Sequence, residues 1–174
     1  EGYIYHSQST TEGFIFFLAK KDYWSDIKLY VSSDYGLTYS TAKTFATSDT
    51  RNVALTLDGV SNSIYIIEQT TGENSNIYKY IKSTKKLDLH LPNIGVGFGE
   101  GGKANLQVTT VKDSIFMYLY NEDNRLYMSK NGGNNWSPTV TLPTTPWDVG
   151  LYVCPSDPKN MFFGEVDAFR SSNG

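Results

Sequence analysis

Charge is scarce in this chain: 19% of its 174 residues are Asp, Glu, Lys or Arg, and the net charge is −3. A nucleic-acid or anionic-membrane partner calls for a basic face that neutralises phosphates. The densest basic stretch, Lys82, Lys85 and Lys86, reads as a solvated turn instead. Cysteine is scarcer still. With Cys154 alone, neither an internal disulfide framework nor a thiolate metal site can form, and its apolar surroundings at 149–154 read as a buried, inert thiol. His6 and His90 stand apart in strand-like surroundings, so no metal site and no cofactor is expected. No apolar run approaches the roughly 18 residues needed to cross a bilayer, and no membrane insertion is expected.

What the chain has in quantity is aromatic residues, 14% in all, with 13 Tyr and 9 Phe, a composition that favours strands over helices. Short apolar runs at 13–19, 27–32, 52–57, 63–69, 77–83, 104–111, 114–120 and 125–129 are separated by turn chemistry. Two eight-residue turns share one spacing. They are Ser32-Ser33-Asp34-Tyr35-Gly36-Leu37-Thr38-Tyr39 and Ser129-Lys130-Asn131-Gly132-Gly133-Asn134-Asn135-Trp136. In each, Asp34 or Asn131 can accept bonds from amides further along the turn, and Gly36 or Gly133 can take the positive φ of a chain reversal. Thr38 or Asn135 precedes Tyr39 or Trp136, whose ring can fill the space beneath the turn. A third copy opens at Ser171-Ser172-Asn173-Gly174.

These turns resemble the Asp-box, or bacterial neuraminidase repeat, of sialidase-type, xyloglucanase-type and sortilin-like β-propellers. The first departs from the pattern by Tyr39 for Trp, the second by Asn131 for Asp and Asn135 for Thr. The segment 153–174 is similar in flavour to blade repeats of large secreted or surface bacterial proteins. The resemblance implies an extracellular or cell-surface setting, and it places the boxes on the outer rim of the blades, away from the ligand face.

The serines that open the turns, with Ser83 standing for a degenerate copy, fall at 32, 83, 129 and 171, at intervals of 51, 46 and 42 residues. Spacings of roughly 40 to 50 residues are those of four-stranded propeller blades. Runs such as 14–18, 64–67 and 115–120 are apolar on both faces, which demands sheets packed on both sides. The expected fold is therefore all-β: a partial β-propeller of four-stranded antiparallel blades, about three and a half in this chain. The expected divisions are 1–47 with a box, 48–94 with a degenerate box, 95–146 with a glycine-rich connector and a box, and 147–174, ending inside its own box. Three and a half blades cannot close a ring. The expectation is a piece of a longer polypeptide of about six to eight blades, or a second chain covering the open ends.

Chemistry-bearing candidates are few. Gly97-Phe98-Gly99-Glu100-Gly101-Gly102 has the glycine spacing of a dinucleotide loop, but strand residues follow where a helix should begin. Glu100, Asp148, Glu165 and Asp167 border turns that could share one rim, and a carboxylate pair there would serve a glycoside hydrolase. A sialidase resemblance also implies three clustered arginines with an Arg-Ile-Pro segment. Arg51, Arg125 and Arg170 lack that segment, and Arg170 sits beside the third box. Exposed rings at Tyr23, Trp24, Tyr35 and Trp147 could instead stack on sugars. The reading that follows is a non-catalytic scaffold for glycan or protein binding and adhesion. The alternative is a fragment of a sialidase-like or xyloglucanase-like hydrolase whose catalytic residues lie mainly outside the chain.

Overall fold

The computed structural model describes residues 3–22, 24–70, 74–94, 105–120, 125–141, 150–164 and 168–172. The first sheet comprises β1 (Tyr3–Ser9), β2 (Ile15–Lys20), β3 (Ile27–Ser32) and β4 (Ser40–Phe45). The second comprises β5 (Thr50–Asp58), β6 (Ser63–Thr70), β7 (Ser75–Ile81) and β8 (Lys86–Leu91). The third comprises β9 (Asn105–Val111), β10 (Ser114–Tyr120), β11 (Arg125–Ser129) and β12 (Ser137–Thr141). The fourth comprises β13 (Gly150–Val153), β14 (Met161–Gly164) and β15 (Ala168–Ser171). Within each sheet the strands are antiparallel and lie in sequence order.

The sheets are arranged as a β-propeller. β1 lies beside β5, β5 beside β9 and β9 beside β13, so the first strand of every sheet is gathered on the inside. β6 shows why its sequence is apolar throughout. Ile64 and Ile66 pack with Phe16, Leu18 and Leu29 of the first sheet, while Tyr65 and Ile67 pack with Leu106, Val108 and Met117 of the third. A third cluster joins Tyr118, Tyr120 and Leu126 to Leu151, Val153, Met161 and Phe163. Burying each such side chain contributes about 1.5 to 3 kcal/mol, and only because a neighbouring sheet covers it.

The strand ends differ from the sequence expectation where turn chemistry intrudes. β4 begins only at Ser40, after the eight-residue turn has closed, and β12 begins at Ser137, with Pro138 tolerated because β12 is an edge strand. β7 stops at Ile81 because the chain reverses over 82–85, where Lys85 adopts φ 54° and its amide donates to the Lys82 carbonyl at 3.3 Å.

Antiparallel order puts the β1–β2 and β3–β4 turns at one end of the array and the β2–β3 and β4–β5 connections at the other. At the first end, polar side chains tie sheet to sheet. Asn62 donates to Thr11 Oγ1 at 2.9 Å, and Lys82 pairs with Glu12 at 2.6 Å. Thr110 donates to Asp58 through its amide, at 3.1 Å, and its hydroxyl. Thr109 and Tyr118 donate to the carbonyls of Pro155 and Pro158 at 2.9 and 3.0 Å. Burial and the charge of Asp157 push the Tyr118 phenol up to about 12, so it remains a donor at neutral pH.

Candidate functional site

The two eight-residue turns share their serine and backbone-amide bonds, and the first adds a bond from the Thr38 hydroxyl to Asp34. Ser32 Oγ donates to Asp34 Oδ1 at 2.7 Å and accepts from the Gly36 amide at 2.9 Å; Ser129 Oγ donates to Asn131 Oδ1 at 2.9 Å and accepts from Gly133 at 2.8 Å. Thr38 N donates to Asp34 Oδ1 at 2.9 Å, as Asn135 N does to Asn131 Oδ1 at 3.0 Å. Gly36 and Gly133 sit at φ 89° and 92°, where a Cβ is strained. One position earlier, Gly132 takes φ 68° without penalty, but its counterpart Tyr35 takes φ 59° as a non-glycine residue, at a cost of about 1 to 2 kcal/mol. Ser32 and Ser129 are buried, so each serine hydroxyl is committed to its turn, where it satisfies the amide of half-buried Gly36 or buried Gly133.

The twin turns differ in charge, and that difference is measurable. The Thr38 hydroxyl, then its amide, then Ser32 hold Asp34 down at about 2, below the ordinary 3.8. A depressed folded value means that the contribution of Asp34 is complete above the ordinary value and is lost as pH falls towards about 2. The amide resonance of Thr38 should therefore titrate with a midpoint near 2, while that of Asn135, bonded to an amide, should show no such step. Equal titration of both would mean that the step is not the protonation of Asp34 but an acid transition shared by the two turns.

At the opposite end of the first sheet, Trp24 stands 81% exposed on a tightly held turn between β2 and β3. Asp22 Oδ1 accepts from Trp24 N at 3.0 Å and from Ser25 Oγ at 2.7 Å. The Ser25 hydroxyl is the main cause that lowers the Asp22 pKa. Thr47, just past β4, donates through its amide to Asp26 Oδ1 at 3.1 Å and through its hydroxyl to the Trp24 carbonyl at 3.4 Å. A large apolar ring projects to solvent while its backbone is pinned on both sides. That arrangement suits contact with a flat, partly apolar ligand.

Beneath this end lies a polar cluster that the sequence did not announce. Glu68, 8% exposed, accepts from Thr50 Oγ1 at 2.7 Å, Tyr78 OH at 2.5 Å and Asn76 Nδ2 at 3.3 Å, binding β5, β6 and β7 together. Lys43 of the first sheet stands 4.7 Å above the Tyr78 ring and 5.1 Å above Phe45. Burial, and then the Glu68 bond, push the Tyr78 phenol far above its ordinary value. All the donors to Glu68 are neutral and in place, so the cluster is a fastening that holds β5, β6 and β7 together. Glu68, Tyr78 and Lys43 sit in strand runs 10 to 35 residues apart, and nothing in any one run hints at a shared role.

Of the other candidates, Glu100, Asp148, Glu165, Asp167, Tyr23, Trp147 and Asn173 lie outside the described residues. Ser171 ends β15, half-buried. Arg170 lies 5.9 Å over Phe162 and donates to Asn160 Oδ1 at 3.0 Å. Trp136 is half-buried against the cluster between the second and third sheets, whereas Tyr39 is 46% exposed. Cys154, expected to be buried, is half-exposed because its position follows β13, and its Sγ lies 3.4 Å from Ser156 Oγ.

No family model and no curated protein matches the sequence. Among solved structures, the SapL1 lectin in complex with alpha methyl fucoside is similar over 99% of this chain and 62% of its own, with a TM-score of 0.62 at 10% identity. AofleA from Arthrobotrys oligospora is similar over 100% of this chain and 61% of its own, with a TM-score of 0.58 at 14% identity. YCF48 bound to D1 peptide is similar over 100% of this chain and 51% of its own, with a TM-score of 0.51 at 15% identity. The chain thus spans 51% to 62% of the length of these proteins. At such identities the likeness carries the fold alone: this chain is a run of β-propeller sheets.

Proposed function

We propose that the chain is part of a non-catalytic β-propeller that binds glycans through the Trp24 end of its sheets, within a larger secreted or cell-surface protein that serves adhesion. The observation that carries this reading is the Trp24 indole, 81% exposed on a turn fixed through Asp22, Asp26 and Thr47. An exposed ring on a fixed backbone loses little entropy when it stacks on a sugar. The solved lectin with bound alpha methyl fucoside supports the reading by showing the fold in that use elsewhere. We also read 32–39 and 129–136 as Asp-boxes of the bacterial neuraminidase type, supported by their matched bonds. Their role is mechanical.

The outer face of the first sheet supports a further sheet in the complete assembly, whether from the same polypeptide or another chain. Register makes Ile15, Phe17 and Tyr30 the counterparts of Met117, Leu119 and Tyr127 in the third sheet. Met117 and Leu119 are 0% exposed under the second sheet, while Ile15 and Phe17 stay half-buried.

The test is a titration of the 174-residue chain and its Trp24→Ala variant with a panel of methyl glycosides, beginning with methyl α-fucoside, followed by calorimetry and by the amide shifts of Ser25 and Thr47. Loss of the ring should weaken binding by about tenfold or more while leaving thermal stability unchanged. Unchanged affinity, or no glycoside that binds, would remove the glycan reading.

A further inference from the structure

We propose a second saccharide site at the box end of the array, where the first and second sheets meet, with Tyr35 as its platform and Glu12, Lys82, Asn62 and Lys85 as its polar rim. It rests on the saccharide-binding reading above, but it uses none of the same residues.

The platform is a built feature. A Cβ placed on Gly13 would lie 2.5, 2.6 and 2.7 Å from Cε1, Cζ and Cδ1 of Tyr35. Three consecutive ring atoms can be that nearly equidistant from one point only if the point lies over the ring face. Tyr35 is therefore laid flat on a glycine, itself at φ 80°, and its amide donates to the Gly13 carbonyl at 3.2 Å. With one face on Gly13 and the residue 76% exposed, the other face is open to solvent.

The turn itself does not require this ring. Its twin makes the same bonds with Gly132 in the equivalent place and with no side chain there. Tyr35 bears the strain of φ 59° while most of its surface remains in water. Strain retained for a ring that packs on one face only and leaves the other in water is the pattern of a functional position.

The rim has hydrogen-bonding groups of both charges, supplied from two sheets. Glu12, next to Gly13 in the chain, pairs with Lys82 at 2.6 Å, and Lys82 also donates to the Asn62 carbonyl at 2.9 Å. Lys85 donates to Ser33 Oγ at 3.0 Å, two residues before Tyr35. An apolar peptide would bury the Glu12–Lys82 pair without replacing its water. Glu12 and Asp34 disfavour an anionic ligand. A neutral pyranose fits both parts, placing its C–H face on the ring and its hydroxyls on the rim.

The same methyl glycoside panel, followed by the amide shifts of Gly13 and Gly36, tests the proposal in three variants. In Tyr35→Gly, which installs the residue of the twin turn, the Thr38 amide should keep its bonded shift while affinity at this corner falls about tenfold. Tyr35→Phe should retain most of the binding. Trp24→Ala should abolish the shifts at Ser25 and Thr47 but leave those at Gly13. Glycosides that perturb only the Trp24 end overturn the second site and spare the first. Gly13 shifts that survive in Tyr35→Gly also overturn it, and silence at both ends removes both readings.

Discussion

Asp58→Ala should destabilise the protein by about 3 kcal/mol, a large fraction of what a domain of this size has to spare. Asp58 ends β5 and is 0% exposed. Its Oδ1 accepts from the amides of Val60 and Thr110, each at 3.1 Å, and its Oδ2 accepts from the hydroxyls of Ser61 and Thr110. One carboxylate thus closes the β5–β6 turn and anchors the next sheet. Alanine would leave the Val60 and Thr110 amides, whose bonds to Asp58 are half-buried, without this acceptor, at about 1 to 1.5 kcal/mol each, and would open a small void. Asp58→Asn should cost only about 1 kcal/mol, because the carboxamide oxygen keeps both amides and the two hydroxyls can rotate to accept from its NH2. Burial alone would raise the pKa of Asp58, but the bonds from Ser61 and Thr110 outweigh it and the net shift is downward. The stabilisation is then complete above the ordinary 3.8 and is lost as pH falls through the lowered folded value. Urea unfolding of the wild type and both variants, at neutral pH and in acid, measures all of this. If Asp58→Ala and Asp58→Asn cost the same, the amide acceptor is not what holds the second and third sheets together.

Asp58 also shows where sequence reading stops. Asp58-Gly59-Val60-Ser61-Asn62 announces a turn, and a turn is there, but the bonds to Thr110 cross 52 residues. A local pattern specifies the backbone reversal and is silent about which strand passes beside it. The same division holds throughout. Two-sided apolar runs such as 64–67 show that sheets lie on both faces, since no other arrangement hides those side chains. The box spacing shows a turn because its serine, acceptor and glycine act within five residues. The Glu68 cluster is built from Thr50, Asn76 and Tyr78 on three strands, and no single run betrays it. At the exposed turns, Trp24 was legible as a ring in a loop, while the flat seat of Tyr35 on Gly13 appears only once two turns are brought together.

Trp136→Ala is expected to cost about 3 kcal/mol, and the equivalent change in the twin turn, Tyr39→Ala, about 1 kcal/mol or less. The two rings hold the same place in turns that share their serine and backbone-amide bonds, and the larger area of the indole accounts for only part of the gap. What differs is the neighbour. Trp136 packs, with Leu91 of β8 and Ile94 just beyond it, against the cluster that contains Tyr65, Ile67 and Ile77 of the second sheet. A Cβ on Gly133 would come 2.5 Å from Leu91 Cδ1 and 3.6 Å from Trp136 Cζ2, which shows how closely β8 and the indole close over that turn. Tyr39 faces the outer side of the first sheet, where it meets Phe17 edge-on with centroids 5.1 Å apart and remains 46% exposed. Removing Trp136 therefore opens a space between two sheets, whereas removing Tyr39 only bares part of one face. The difference between the two losses, read from chemical denaturation of the single variants, measures what a neighbouring sheet adds at one motif position once the larger area of the indole is allowed for. In a longer protein with another sheet over Ile15, Phe17 and Tyr30, the Tyr39→Ala cost should rise towards that of Trp136→Ala. Equal costs in the 174-residue chain would mean that each ring acts within its own turn and that the packing of sheet on sheet does not set its contribution.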